Sequence, residues 1–386
     1  MRFLEAYDGW RRGHLTQEEA GSLLGMSGRN FRRYIERYHD EGEAGLLDKR
    51  LVQASNRAAP VDEVLALCDL YSGRYSGWNV RHFHRFYRRH HGGSRSYTWV
   101  KNKLQERGLV KKAKGRGKHR RKRERAPMAG MLLHQDASTH EWVAGRKWDL
   151  VITLDDATSW HYSMFFVDEE GTNSSFQGMQ DVIEEHGLPS SLYTDRGSHY
   201  WHTPEAGGKV DRNNLTQFGR AMKQLGIEMI PAYSPQARGR CERMFDTHQK
   251  RLPRELALHG ITDMDEANRY LAEHYMPAFN EEFAVRPAVE GSAFVPWIGG
   301  SLDDILCEQH ERVVSNDNTV SFRGMKLQIP ASDYRCHYVK VRVRIHRHMD
   351  GRMSIFHGPR KLAEYDVDGA LISNSQATAG LQKATG

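Results

Sequence analysis

At 386 residues with a formal charge of +7, the chain is long enough for roughly two to four domains and suits a polyanionic partner. Its four cysteines, Cys68, Cys241, Cys307 and Cys336, are far apart, which excludes a disulfide framework and points to a reducing compartment. No apolar run approaches the roughly 20 residues needed to span a bilayer, and residues 1–5 do not read as a signal peptide, so a cytoplasmic, nucleoid-associated protein with no membrane partner is expected.

Residues 16–38 read as helix, tight turn, helix. Thr16 and Glu19 form a capping box, Gly25 permits the turn, and Ser27 caps the second helix. Phe31, Tyr34 and Ile35 would face inward, and Arg29, Asn30, Arg32 and Arg33 outward. That is the layout of a helix-turn-helix whose second helix enters a major groove. Residues 61–110 predict a second helical or winged unit. Val61, Val64, Leu65 and Leu67 supply the apolar face of its first helix. Arg81, Arg85 and Lys101 are its candidate DNA contacts. A zinc reading of His82, His84, His90 and His91 finds no Cys or acidic pair at suitable spacing. Residues 111–126 are a basic linker. Arg120, Arg121 and Arg123 lie in its densest part, which reads as a spacer that can also track phosphates.

After Pro127 strands are expected at 131–137, 148–154 and 160–167. A helix follows at 172–186, stopped by Gly187, then a short strand, 192–194, that ends on Asp195. A helix at 215–225 and a strand at 227–230 complete a mixed sheet with helices packed on it. The next helix opens at Ser234 as cap and Pro235 as first residue, runs to about Leu252, and is expected to kink or break at Pro253. Residues 264–279 are helical again. From about Arg312 the period drops to two. Val339, Val341, Val343 and Ile345 alternate with basic residues, and Asp350-Gly351 marks a hairpin, so a small β-barrel is expected. Its basic face serves either DNA or solubility. The Ser-, Ala-, Gly- and Gln-rich tail reads as disordered.

Asp136 lies in mid-strand, where an unpaired charge is costly. Asp195 sits at a strand end, and Glu242 about two turns into the 235–252 helix. If the aspartate strands are neighbours, the three carboxylates can converge. Three hard oxygen donors without His or Cys favour Mg²⁺ or Mn²⁺, two ions per site, suited to phosphoryl transfer. Asp155 and Asp156 read as turn residues instead, and Asp246 as a partner of Arg243.

The blocks His134–Ser138 (His-Gln-Asp-Ala-Ser), Tyr193–Ser198 (Tyr-Thr-Asp-Arg-Gly-Ser) and Ser234–Arg243 (Ser-Pro-Gln-Ala-Arg-Gly-Arg-Cys-Glu-Arg) resemble the three catalytic blocks of the DDE transposase and retroviral integrase superfamily. The order of parts resembles insertion-sequence transposases of the ISNCY group, over nearly the whole chain. The resemblance implies Asp136, Asp195 and Glu242 as catalytic metal ligands, and Gln236, Arg240 and Arg243 as DNA contacts. It also implies an RNase H-like core, double-stranded transposon ends and target DNA as partners, and a homodimer or higher oligomer on DNA. Two departures stand out. The interval from Asp195 to Glu242 is long, with 201–214 as the insertion, and no His-His-Cys-Cys module precedes the core. The expected organisation is thus multidomain: helix-turn-helix, 1–55; second all-α module, 56–110; linker, 111–126; α/β RNase H-like core, 127–285; β-barrel, 286–370; and tail, 371–386. The expected function is a transposase that binds terminal repeats, cleaves the ends by metal-dependent hydrolysis and joins them to target. The alternatives are a catalytically silent regulator derived from one, or a nuclease without strand transfer.

Overall fold

The computed structural model describes residues 3–48, 59–112, 124–205, 208–233, 235–331 and 335–372, without the side chains of 235–240. Arg120, Arg121 and Arg123, the cap Ser234, the side chains of Gln236 and Arg240, and the tail from 373 lie outside the described residues. The chain forms two compact units, Met1–Tyr75 with Thr98–Val110, and Ser76–Tyr97 with Lys111–Gly386.

The first unit is helical: α1 (Phe3–Arg11), α2 (Gln17–Leu23), α3 (Gly28–Glu41) and α4 (Val61–Arg74). Next in sequence, α5 (Val80–His90) lies in the second unit, and most of α6 (Tyr97–Glu106) returns to the first. The capping box forms as expected, with Thr16 Oγ1 accepting from the Glu19 amide and Glu19 Oε2 from the Thr16 amide. Gly25 turns the chain at φ 71°, and Ser27 Oγ accepts from the Asn30 amide. A Cβ at Gly21 would stand 2.9 Å from the Met26 carbonyl oxygen, so the two helices approach too closely there for a side chain. Phe31 and Ile35 are buried against Ala6, Tyr7 and Ala20. The face of α4 differs from expectation. Leu67, Cys68 and Tyr71 are buried, while Val61 and Leu65 are exposed. The helix period selects the Leu67–Tyr71 stripe, and the apolar residues near its start fall off it.

The second unit is built on a five-stranded mixed sheet. Its strands are β1 (Leu133–Val143), β2 (Arg146–Asp155), β3 (His161–Val167), β4 (Ser191–Thr194) and β5 (Glu228–Pro231), in the order β3-β2-β1-β4-β5. The first three are antiparallel neighbours; β4 runs parallel to β1, and β5 parallel to β4. One face carries α7 (Thr172–His186) and α8 (Gln217–Leu225), around Leu133, Phe176, Met179 and Phe218. The other carries α9 (Pro235–His259), α10 (Met264–Tyr270) and α11 (Met276–Phe283), around Trp142, Ile152, Phe245 and Leu256. Helix α9 continues through Pro253 rather than breaking there. Leu252 and Leu256 are wholly buried on either side of it, and this packing outweighs the backbone bond that the proline removes.

Because α5 belongs to the second unit, the arginines expected to touch DNA from it are partly committed elsewhere. His82 Nε2 lies 2.6 Å from Glu255 Oε1. Arg85 pairs with Glu281 and Glu282, and Arg251 reaches Glu282 at 2.8 Å. Arg85 thus joins an ion-pair network with the acidic end of α11. Burial alone would raise the Glu282 pKa, but Arg251 and Arg85 hold it below the usual carboxylate value. A depressed carboxylate stabilises the fold above its unfolded pKa, and that stability is lost as pH falls through the folded pKa. Glu282→Gln is expected to cost roughly 1–3 kcal/mol near pH 7, less than a fully buried pair because water reaches part of the carboxylate. Thermal melts taken downward from pH 7 should show the gap to wild type closing in acid; a constant gap would contradict the pairing.

The C-terminal part is not a closed barrel. β6 (Glu308–Val313), β7 (Thr319–Phe322), β8 (Met325–Gln328), β9 (Arg342–Arg347), β10 (Met353–His357) and β11 (Arg360–Tyr365) form an open antiparallel sheet, β11-β10-β9-β6, and a separate β7-β8 hairpin. Strands β6 and β11 are its opposite edges, and closure would need them to pair. Val320, Phe322 and Leu327 of the hairpin instead share a core with Val343, Ile345 and Ile355 of the sheet, giving the burial that closure would have given. Nor is the polar face of β9 wholly basic. Arg342 and Arg344 are exposed, but His346 is buried and stacked on Phe356 at 4.2 Å. Burial, with Arg344 nearby, pushes its pKa down to about 3.

Candidate active site

The strand register brings the two aspartates together. In the parallel pair of β1 and β4, Gln135 stands opposite Thr194, so Asp136, next on β1, comes beside Asp195, the first residue beyond β4, and the charges of both act on Tyr200. Neighbouring strands lie about 4.8 Å apart. Both carboxylates are half-buried. Asp136 Oδ1 accepts from the Ala137 amide at 3.1 Å, and Asp195 Oδ1 from the Gly197 amide at 2.7 Å. A Cβ on Gly197 would come within 2.9 Å of that Asp195 oxygen and 3.0 Å of His199 Cε1. Only glycine leaves the turn and the carboxylate undisturbed.

Beneath them sits Tyr200, buried, its hydroxyl donating to Gln135 Oε1 at 3.0 Å. Its pKa is pushed well up, by burial first and then by the negative charges of Glu170, Asp136 and Asp195. Glu170, at the approach to α7, also lies 3.4 Å from His199 Nε2. The sequence reading missed Glu170 and His199. Neither stands in a recognisable spacing.

Helix α9 covers the face of β1 that carries Asp136. Cross-strand from β1, Asp136 meets Ile152 and Ser138 meets Leu150, two residues of the core that α9 helps to form. Gln249 Nε2 donates to Ser138 Oγ at 2.9 Å. Glu242 is seven residues before Gln249 on the same helical stripe, exposed, beside the buried Cys241. His248 anchors the helix from inside, meeting His161 Nε2 at 3.1 Å and the Tyr275 hydroxyl at 3.0 Å. Among the described residues no three His, Cys, Asp or Glu side chains are close enough to hold a metal ion. The aspartates adjoin, while Glu242 shares their face of the sheet without closing on them. The donor set suits a hard divalent cation; its third member is not gathered.

Other carboxylates have structural tasks. Asp155 accepts from the Gly130 and Thr158 amides, and Asp156 pairs with His134 at 2.7 Å; both are fully buried. Arg125, at the end of the basic run, donates to the carbonyl of Asp156 at 2.9 Å, which ties the linker to the core. Asp246 pairs with Lys250, one turn on, rather than with Arg243.

The remaining candidate DNA contacts are scattered. Arg29, Asn30, Arg32 and Arg33 are exposed on α3, with Arg32 Nε donating to Gln17 Oε1 at 2.9 Å. Arg81 and Arg243 are exposed, and Lys101 is half-buried.

Fold and site together define a mixed α/β core with one aspartate on β1, a second directly after β4, and the helix of Glu242 packed against β1. No family model matches the chain. It is similar to a protein named "Putative transposase y4bF" of Sinorhizobium fredii, at 29% identity over 89% of this chain and 75% of that one. It is also similar to the transposase for insertion sequence IS1202 of Streptococcus pneumoniae, at 32% identity over 52% of this chain and 43% of that one. Both of these similar proteins are named as transposases. Among solved structures it overlaps a simian T-cell lymphotropic virus intasome in complex with a PP2A regulatory subunit, B56 gamma, with TM-score 0.34, 14% identity and coverage of 75% of this chain and 91% of that one. The HTLV-2 integrase catalytic core, solved with magnesium, overlaps with TM-score 0.29 and 15% identity, over 38% of this chain and 88% of that one. Among the described residues no helix is long and apolar enough to cross a membrane.

Proposed function

We propose that this chain is a DDE transposase with an RNase H-like core. It binds the terminal repeats of a mobile element, hydrolyses the DNA at the ends and joins the freed 3′-hydroxyls to target DNA. The observation that carries this reading is the register that sets Asp136 beside Asp195, with α9 across the same sheet face. Asp136, Asp195 and Glu242 would hold Mg²⁺ or Mn²⁺, which would activate the attacking oxygen and stabilise the leaving one in phosphoryl transfer. The chain's own part is positioning. The Gly197 amide fixes the Asp195 carboxylate, Tyr200 walls off the floor of the site, and the core under α9 orients Glu242. No covalent protein–DNA intermediate is required. Two ends must be held at once, so the working form is a dimer or larger assembly on DNA.

Recognition of the ends falls to α3. Arg32→Ala with Arg33→Ala is expected to weaken end binding at least about tenfold and to flatten its salt dependence, because each lost phosphate contact lowers the salt slope by about one. Equal affinity in a gel-shift titration would remove α3 from recognition. The whole reading is tested by incubating the chain with a duplex of the element's end, in chelator and then in Mg²⁺ or Mn²⁺. Binding in both with cut product only in metal is expected. Binding with no cutting in any metal would favour a silent, transposase-derived regulator, and cutting without joined product would favour a nuclease.

A further inference from the structure

The insertion that lengthens the interval between Asp195 and Glu242 is fastened on both sides of the site. Trp201 Nε1 donates to Thr194 Oγ1 at 2.9 Å, directly before Asp195. Val210 is buried in the core, and the Asp211 amide donates to the His202 carbonyl at 2.8 Å. Two further bonds leave this platform. Arg196, the residue after Asp195, donates through Nη1 to the Gly208 carbonyl at 2.9 Å. Tyr233, two residues before α9 begins, accepts on its hydroxyl from the Val210 amide at 3.1 Å. The two side chains also meet each other, the Arg196 guanidinium lying 5.3 Å from the centre of the Tyr233 ring.

We propose that residues 208–211, with Arg196 and Tyr233, form a brace that sets the start of α9 against the Asp195 turn. Arg196 and Tyr233 are then positioning residues, acting on where Glu242 stands rather than on the reacting atoms. This rests on the proposed role of Glu242 as third carboxylate. The logic is mechanical. A cation over the ring and a backbone donor on its hydroxyl fix Tyr233 in two directions, and Tyr233 stands two residues before the glutamate helix. A loop merely tolerated at the surface would not place a buried valine and two backbone bonds on the residues flanking both acidic blocks. Tyr233 is half-exposed, so its replacement leaves the core intact.

The test uses the full chain and compares Tyr233→Ala, Tyr233→Phe and Arg196→Lys with wild type. Tyr233→Phe keeps the ring and loses only the hydroxyl acceptor; Tyr233→Ala loses both. The Mn²⁺ concentration for half-maximal end cleavage should rise roughly tenfold in Tyr233→Ala, with a smaller rise in the other two, as expected for a support around ligands. End-DNA affinity and thermal midpoint should stay at wild-type values. Amide exchange of 241–246, measured without DNA or metal, should quicken in the same order. A wild type that cuts, with Tyr233→Ala matching it in Mn²⁺ dependence, overturns the brace. A wild type that never cuts defeats the catalytic reading, and the exchange measurement then decides the brace alone: faster exchange at 241–246 supports it and unchanged exchange overturns it.

Discussion

Glu242→Gln is expected to lower end cleavage by at least about a thousandfold while leaving end binding within about twofold. The size follows from the proposed role. A carboxylate that holds a catalytic cation contributes several kcal/mol to transition-state stabilisation, and each 1.4 kcal/mol is about tenfold in rate. The selectivity follows from the surroundings. Glu242 is exposed on α9, while its neighbours Cys241 and Phe245 carry the packing, so the isosteric amide removes charge without removing contacts. A surface change of that kind alters stability by about half a kcal/mol at most. Single-turnover cleavage of a labelled end, gel-shift titration and a thermal melt on the same preparation check all three parts. A large drop in binding or melting point would make Glu242 a structural residue.

Trp142→Ala is expected to destabilise the second unit by about 3–5 kcal/mol, the range for removing a buried large aromatic. Trp142 is fully buried, donates from Nε1 to the Trp148 carbonyl at 2.9 Å and packs its ring 5.5 Å from Phe166. Its cluster is also where Phe245 and Leu252 seat α9, so the loss should loosen the glutamate helix as well as the sheet. Chemical denaturation followed by calorimetry on the whole chain measures it, with Trp142→Phe expected to recover part of the loss. A change below about 1 kcal/mol would mean that this cluster does not hold α9 in place.

Local chemistry was legible in the sequence, and long-range pairing was not. The capping box at Thr16 and Glu19, the turn at Gly25 and the strand–helix alternation from β3 to β5 follow from caps, breakers and period. The three motif blocks pointed to Asp136, Asp195 and Glu242. That Asp136 and Asp195 adjoin depends on parallel pairing between strands almost sixty residues apart, for which a sequence carries no local signal. The ion pairs of helix α5 were not legible either, because its basic face looks the same whether phosphates or Glu281 and Glu282 answer it. Pro253 and the open C-terminal sheet were misread for one reason. Proline as a breaker and alternation as a barrel are local rules, and the packing of Leu252 with Leu256, and of the β7-β8 hairpin on its sheet, overrides them.

The most direct measurement places wild type and Asp195→Asn side by side on a labelled terminal-repeat duplex and a plasmid target, with Mg²⁺ and with Mn²⁺. The account predicts nicking at the element end and joined product from wild type in either metal, and neither from Asp195→Asn, although both proteins bind the end equally. Product from both proteins, or end binding without product from either, would contradict the assignment of the paired aspartates as the catalytic site.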